Sequence, residues 1–149
     1  MRIIFSILFF ALYFTSIISA NEKNYYLILK NNEVNVRYGP GFDYPVKYVY
    51  KKKNLPVKII DKSWEWKKII DLKKNSGWIH DTQLKKGKSF ILLEDQILFT
   101  NPTKYSKPII KIAKGRLLLV KKCKKEWCKV RTENYFGWVK TNNIWGNIK

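Results

Sequence analysis

The sequence contains an internal repeat, which has to be recognised before single segments are interpreted. Sliding the chain by 61 residues without a gap superposes one set of apolar and aromatic positions on another, and an offset shorter by one residue continues the match toward the C-terminus. The matched positions are Glu33 with Glu94, Val36 with Ile97, Val57 with Leu118, Ile59 with Val120, Glu65-Trp66 with Glu126-Trp127, Ile69 with Val130, and Gly77-Trp78-Ile79 with Gly137-Trp138-Val139. Because the apolar positions are kept while the surface residues differ, the repeat predicts two copies of one hydrophobic core.

Within each copy, short apolar runs rich in β-branched and aromatic residues alternate with breaks of Gly, Pro, Asn and Lys, a pattern typical of strands. No stretch after Ala20 has a helical period over three turns. The pattern predicts strands at Val34–Arg37, Lys47–Tyr50, Pro56–Ile60, Trp66–Asp71 and Ser76–His80, and again at Gln96–Phe99, Ile109–Ile112, Arg116–Lys121, Cys128–Thr132 and Phe136–Lys140. The predicted fold class is all-β, and about five antiparallel strands per copy can hide their edges by closing into a small barrel.

The first twenty residues have the layout of a secretory signal peptide. Arg2 is followed by an apolar run from Ile3 to Phe14 and then by a segment that ends in small residues at Ala20. We therefore exclude residues 1–20 from the fold and expect an exported protein, periplasmic or extracellular. An apolar core of about sixteen residues is shorter than the roughly twenty that span a bilayer. An uncleaved N-terminal membrane anchor is the alternative interpretation.

The chain is strongly basic, with 30 Lys and Arg against 11 Asp and Glu and a net charge of +19. The electric field of so much positive charge attracts anionic surfaces of almost any kind. A coding bias toward A and T nucleotides, which makes Lys, Ile and Asn abundant, would produce the same composition. Lys51-Lys52-Lys53 lies near aromatic residues, and nucleic-acid binding combines phosphate contacts with base stacking. The export signal argues against a nucleic-acid partner. It favours anionic envelope material, such as wall-peptide carboxylates and lipid phosphates.

Four motifs of the first copy occur in the order and spacing of a known family. They are Val34-Asn35-Val36-Arg37, Gly39-Pro40-Gly41, Trp66 followed by Lys68-Ile69, and Gly77-Trp78-Ile79. On these motifs the sequence resembles the bacterial SH3-like (SH3b) domain family of exported proteins. The resemblance implies two tandem small SH3-like β-barrels behind the signal peptide, at residues 24–85 and 88–146.

The second copy keeps Trp127 and Gly137-Trp138-Val139, but it has Ile97-Leu98-Phe99 and Asn101-Pro102 where the opening motif would stand. Its long loop is therefore expected to differ in shape and in any binding role. The linker Lys85–Lys88 between the copies is short and charged. We expect the two barrels to touch or nearly touch.

Members of this family bind cell-wall peptides or direct wall-active proteins to their target, so the resemblance implies a binding module. We expect a non-catalytic exported protein that recognises cell-wall peptide or an extended protein segment in the bacterial envelope. The alternative is a structural or regulatory partner of another envelope protein, without wall binding. No cofactor is expected.

Cys123 and Cys128 flank the predicted hairpin between two strands of the second copy. Facing strand residues can bring their Cα atoms within disulfide range, and an exported protein enters a compartment where the bond persists. We therefore predict a disulfide. A redox pair would more usually have two intervening residues, and a metal site would need further ligands. No metal site is predicted.

His80 follows a late strand beside Asp81, and a lone His can act as a base. The repeat has Lys140 at the same place, and no third group is apparent. The carboxylates are scattered, so they form no recognisable acid and base pair, and the sequence has no phosphate-cradling Gly loop. We therefore predict no catalytic residues and no enzymatic activity.

Aromatic side chains on loops are the candidate ligand contacts. Tyr38, Phe42 and Tyr44 lie on the long loop of the first copy, and Trp64 lies in the turn before Trp66. SH3-type barrels present such rings as a shallow groove that accepts proline-rich or extended peptides. The competing interpretation is that Tyr38 or Phe42 only seals one end of a barrel that has little core.

The other aromatic residues form two groups by their place in the repeat. Those that the repeat conserves on strands are predicted to be core or barrel-closing residues, namely Trp66, Trp78, Trp127 and Trp138. Loop and end positions of the second copy are predicted either to extend the groove or to bury the interface between barrels, namely Phe99, Tyr105, Tyr135 and Trp145.

Overall fold

The computed structural model describes residues 25–148, and the predicted signal peptide at residues 1–20 lies outside them. The described chain contains fourteen β-strands and one short 3-10 turn, Asp81–Gln83. The first seven strands are β1 Tyr25–Leu29, β2 Val34–Arg37, β3 Val46–Tyr50, β4 Pro56–Ser63, β5 Trp66–Ile70, β6 Ser76–His80 and β7 Leu84–Lys85. The next seven are β8 Ser89–Leu92, β9 Gln96–Phe99, β10 Pro108–Ile112, β11 Leu117–Lys124, β12 Trp127–Thr132, β13 Tyr135–Lys140 and β14 Ile144–Asn147. The prediction of an all-β fold is confirmed.

The two halves of the chain have the same topology. The first sheet has the order β3-β2-β6-β5-β4-β1-β7, and the second has the order β10-β9-β13-β12-β11-β8-β14. Each strand of the first sheet thus has a counterpart seven strands later, as the internal repeat requires. We call the first sheet barrel 1 (residues 25–85) and the second barrel 2 (residues 89–147). Within the described residues, no helix has the length and apolar character needed to cross a membrane.

Each barrel encloses its own apolar cluster. The cluster of barrel 1 consists of Leu29, Val34, Val36, Val57, Ile59, Ile69, Ile79 and Leu84. The cluster of barrel 2 consists of Phe90, Leu92, Leu98, Ile112, Leu118, Cys128, Val130 and Val139. Alternation along the strands places these side chains on the inner face, so the conserved apolar positions of the repeat are largely the inward positions of the strands.

Eight of the ten predicted strands agree with the structure to within one residue at each end, whereas β4 and β11 extend three residues further than predicted, to Ser63 and Lys124. The sequence interpretation missed β1, β7, β8 and β14, so each sheet has seven strands rather than about five. β1 and β8 are almost uninterrupted apolar runs without the alternation of a half-exposed strand. β7 and β14 are short, and they pair on β1 and β8 at the edge of each sheet.

Cys123 and Cys128 are directly opposite each other on β11 and β12 and form a disulfide. The prediction of this bond is therefore confirmed. The bond closes the hairpin of barrel 2, whereas the corresponding hairpin of barrel 1 has Lys62 opposite Lys67.

The two barrels are in direct contact. The ring of Tyr26 on β1 meets the indole of Trp145 on β14 edge to face, and the Trp145 Nε1–H group donates a hydrogen bond to the Pro56 carbonyl. The buried Ser89 hydroxyl donates to the Asn54 carbonyl at 2.7 Å. Of the two roles predicted for Trp145, the structure therefore assigns burial at the interface between barrels.

Candidate functional site

The long loop of barrel 1 connects β2 to β3, and the side chain of Arg37 binds to its backbone. Nη1 of Arg37, the last residue of β2, donates hydrogen bonds to the Phe42 carbonyl at 3.3 Å and to the Tyr44 carbonyl at 2.7 Å. Gly39 lies under the Tyr44 ring, because a Cβ at this position would come within 2.4 Å of a ring carbon. Together these contacts give the loop a defined shape although much of its surface is exposed.

The loop places Phe42 on the outer face of the sheet, where it joins a cluster of three rings. The Phe42 ring centroid lies 5.1 Å from that of Trp66 and 5.2 Å from that of His80, and the Trp66 and His80 centroids are 5.1 Å apart. The Arg37 guanidinium lies 5.6 Å from the Phe42 centroid, within cation-π range. We call Phe42, Trp66 and His80 the ring cluster.

Strand register explains why these rings meet. Trp66 on β5 is directly opposite His80 on β6, and cross-strand partners share one face of a sheet. Ile69 and Ile79 on the same strands belong to the inner cluster. Trp66 is therefore on the outer face, and its low exposure of 7% is consistent with cover from Phe42 and His80 rather than from the barrel core.

The prediction for the four strand tryptophans needs refinement. Trp66, Trp127 and Trp138 are buried as expected, but none belongs to the two inner apolar clusters. Trp78 is only half-buried, and the Lys68 ammonium lies 6.0 Å from its ring centroid. The physical reason is the period of two along a strand, since residues next to the inward Ile79 must point outward.

The sequence interpretation did not identify His80 as a member of the candidate site. His80 Nδ1 accepts a hydrogen bond from the Thr82 backbone N–H at 3.3 Å and lies 2.8 Å from the Thr82 hydroxyl. His80 Nε2 lies 3.6 Å from a Glu65 carboxylate oxygen. A sequence signal was available, because the repeat matches Glu65 and His80 to Glu126 and Lys140, which are also an acidic and a basic residue. In the structure, Lys140 Nζ lies 3.6 Å from a Glu126 carboxylate oxygen.

The four predicted ligand contacts are all exposed and lie on two neighbouring segments. Tyr38, Phe42 and Tyr44 share the long loop, and Phe42 remains 66% exposed although it contacts the ring cluster. Trp64 is 96% exposed and adopts a positive φ of 51° in the turn just before Trp66. Within residues 25–148, the Trp64 ring makes no contact with another aromatic ring.

Barrel 2 has a corresponding site with different chemistry. The Trp127 ring centroid lies 5.7 Å from that of Phe99, and the Lys140 ammonium lies 5.7 Å from the Trp127 centroid. Lys125 has a positive φ of 52° at the place that Trp64 occupies in barrel 1. The cluster of three rings is therefore a feature of barrel 1, and barrel 2 has Lys140 and Lys125 where barrel 1 has His80 and Trp64.

Further polar chemistry is sparse around these rings. Within the described residues, no group of three or more His, Cys, Asp or Glu side chains is arranged to hold a metal ion. The ring cluster offers apolar faces and the edge of one imidazole, with Arg37 beside it. Such a surface can stack on planar or apolar parts of a ligand.

Comparison with known proteins addresses the fold and the family. A search of curated proteins found no match. Among solved structures, the chain is similar to NlpC2 and NlpC1 from Trichomonas vaginalis, with 11% and 10% sequence identity and TM-scores of 0.39 and 0.38. The similarity covers 84% and 85% of this chain and 49% and 47% of those chains. This chain thus spans about half the length of the two structures.

The family model described as the bacterial SH3 domain matches the sequence twice, at residues 30–86 and 94–146. The two matches cover more than half of the chain and agree with the tandem pair that the repeat predicted. Family membership supports a binding module as the general role. This chain belongs to the bacterial SH3 domain family.

Proposed function

We propose that this protein is a non-catalytic exported module that binds cell-wall peptide in the bacterial envelope through the aromatic end of barrel 1. The observation that carries the proposal is the exposed aromatic surface made by the long loop and Trp64, next to the ring cluster. Large aromatic side chains that remain exposed are typical of recognition surfaces.

The site is suited to an extended ligand. Arg37 fixes the loop through two backbone carbonyls, so the rings are held in place before a ligand arrives and less ordering entropy is lost on binding. Aromatic side chains have few rotatable bonds and add contact area at low entropic cost. The net charge of +19 supplies long-range attraction to the anionic wall, and the rings supply short-range contact.

The test is sedimentation of the purified protein with peptidoglycan over a salt series. The variants Trp64→Ala and Tyr44→Ala are compared with Tyr105→Ala, a matched control in which an 87% exposed aromatic residue is removed from the equivalent loop of barrel 2. We expect binding to persist at high salt and to weaken about tenfold in the first two variants, the loss typical of one energetically important aromatic contact. Tyr105→Ala should bind like the wild type.

Two results would contradict the proposal. Binding that disappears with salt and ignores Trp64 and Tyr44 would mean that the protein is only cationic toward the wall, and a protein partner would then be the better hypothesis. Reproducible release of soluble wall fragments by the purified protein would overturn the non-catalytic assignment. Cell fractionation checks the proposed export, since an exported protein is absent from the cytoplasmic fraction.

A further inference from the structure

A groove runs along the junction of the two barrels, at a place separate from the aromatic surface. Lys52 and Lys53, in the turn between β3 and β4 of barrel 1, form one side of it. Arg116 and Arg131 of barrel 2 also line it, together with the half-buried side chains of Leu117 and Leu119. The groove therefore brings four cations from two barrels to an apolar floor.

The positive charge of this groove is mostly uncompensated. Glu133 is the carboxylate among the lining residues, and it pairs with Arg116 at 2.6 Å. In the part of the chain that the structure describes, the side chains of Lys52, Lys53 and Arg131 have no ion pair. Like charges that converge on one groove repel each other, and an anion bound among them would relieve that repulsion.

The fold does not require these arginines. The repeat matches Arg116 to Leu55 and Arg131 to Ile70. The strand registers agree, since Ile70 is opposite Lys58 in barrel 1 and Arg131 is opposite Leu119 in barrel 2. Because barrel 1 forms the same sheet with apolar residues at both positions, closing the barrel does not require the two arginines.

The two sides of the groove are held in a fixed relation. The Asn54 carbonyl accepts the hydrogen bond from the Ser89 hydroxyl, and Ser89 is fully buried. The Asn54 N–H donates to the Leu29 carbonyl at 2.9 Å, and Asn54 adopts a positive φ of 62°. The first contact joins the turn that carries Lys52 and Lys53 to barrel 2, and the second joins it to β1, so the backbone of this turn is held in place before a ligand binds.

We propose that this groove binds a ligand that carries two or more phosphate groups. A guanidinium presents a fork of donors that matches phosphate oxygens, and a lysine ammonium adds a compact charge. Several cations at two sides of a groove fit neighbouring phosphates better than one isolated anion. The leucine floor can contact the carbon atoms that connect the phosphates. A soluble polyphosphate ester and the headgroups of an anionic lipid surface share this chemistry.

The first test measures binding of inorganic tripolyphosphate by calorimetry at fixed ionic strength. The double variant Lys53→Gln/Arg131→Gln is compared with Lys73→Gln/Lys104→Gln, which removes the same charge at exposed positions outside this groove. We expect at least tenfold weaker binding in the first variant and less than twofold weaker binding in the second. Equal loss in both variants, or no binding by the wild type, would overturn the proposal. Thermal unfolding of both variants checks their folding.

Two further arms define the ligand. Poly-glutamate that binds the groove as tightly as tripolyphosphate would overturn the phosphate assignment. If Lys53→Gln/Arg131→Gln also binds phosphatidylglycerol vesicles more weakly than the wild type, the groove reaches lipid phosphates. If the variant loses affinity for tripolyphosphate alone, the ligand is soluble. Either result supports the proposal. The variant Trp64→Ala should leave tripolyphosphate binding unchanged, which separates this site from the proposed wall-peptide site.

Discussion

The rings of Tyr26 and Trp145, which belong to different barrels, meet edge to face with their centroids 5.4 Å apart. The Trp145 Nε1–H group also donates to the Pro56 carbonyl at 3.4 Å. One tryptophan thus contributes both an apolar contact and a polar contact across the junction. Together with the hydrogen bond from the Ser89 hydroxyl to the Asn54 carbonyl, these contacts join the two barrels into one unit.

The variant Trp145→Ala is expected to loosen this unit. The lost ring pair stabilises the junction by about 0.5–1.5 kcal/mol beyond the area that it buries. Small-angle X-ray scattering should show a broader distribution of distances between the barrels, while circular dichroism should remain that of a folded β-protein. Tyr105→Ala removes an exposed aromatic residue of barrel 2 and serves as the control. A scattering profile identical to that of the wild type would contradict the role assigned to Trp145.

Reduction of the disulfide between Cys123 and Cys128 is expected to destabilise the protein by about 2 kcal/mol, the chain-entropy value for so short a loop. Urea unfolding with and without dithiothreitol measures this difference. Because Cys128 belongs to the barrel 2 core, replacing it would also change the packing, so reduction of the wild-type protein is the cleaner test. The double variant Cys123→Ala/Cys128→Ala should not respond to dithiothreitol. An unchanged unfolding midpoint on reduction would count against a stabilising role.

Tyr50 is expected to make stability fall at alkaline pH. Burial, followed by its hydrogen bonds with Tyr48 and with the Asp71 carboxylate, raises the pKa of the Tyr50 phenol above its usual value. Its contribution is therefore complete below the unfolded pKa of about 10 and is lost as the pH rises from there toward the folded pKa. Urea midpoints from pH 8 to 11.5 should fall less steeply in Tyr50→Phe than in the wild type. An identical slope would contradict this account, and Tyr105→Phe is the matched control.

Gly137→Ala is expected to destabilise barrel 2 by roughly 1–3 kcal/mol, the usual cost of overpacking. A Cβ at Gly137 would lie 2.7 Å from the Phe99 backbone oxygen and 2.8 Å from side-chain carbons of Leu98 and Ile109. Gly41→Ala is the control, because a Cβ there would meet Tyr44 at 3.4 Å, an ordinary contact. Urea unfolding of the two variants compares the costs. Equal stability of both variants would mean that strand β9 can move away from β13 easily.

Much of the fold was predictable because the repeat acts as an internal alignment. Positions that stay apolar in both copies, such as Ile69 and Val130, are the inward positions of matching strands. The disulfide was predictable for a similar reason, since two residues that flank one hairpin must face each other once the strands pair. The strands β1 and β8 were missed because they are nearly continuous apolar runs, and these have no period that separates a buried strand from other buried structure.

The candidate site was only partly predictable. The exposed loop aromatics were identified by residue type and by their place outside the strands, whereas His80 was set aside because the repeat has Lys140 at the same place and no third group was apparent. Phe42 and His80 are 38 positions apart in the chain. They meet because Arg37 folds the loop over the face on which β5 and β6 pair Trp66 with His80.

The sequence alone thus determined the fold class, the duplication, the disulfide and the strands that the repeat conserves, because these depend on local periodicity and on pairing between neighbours along the chain. The tertiary structure decided that Trp66 is covered by Phe42 on the outer face, that Trp145 joins the barrels, and that Lys53 and Arg131 line one groove. Each of these depends on how distant segments are oriented in space. Burial and proximity are properties of the packed chain, and residue type constrains them without specifying the partner.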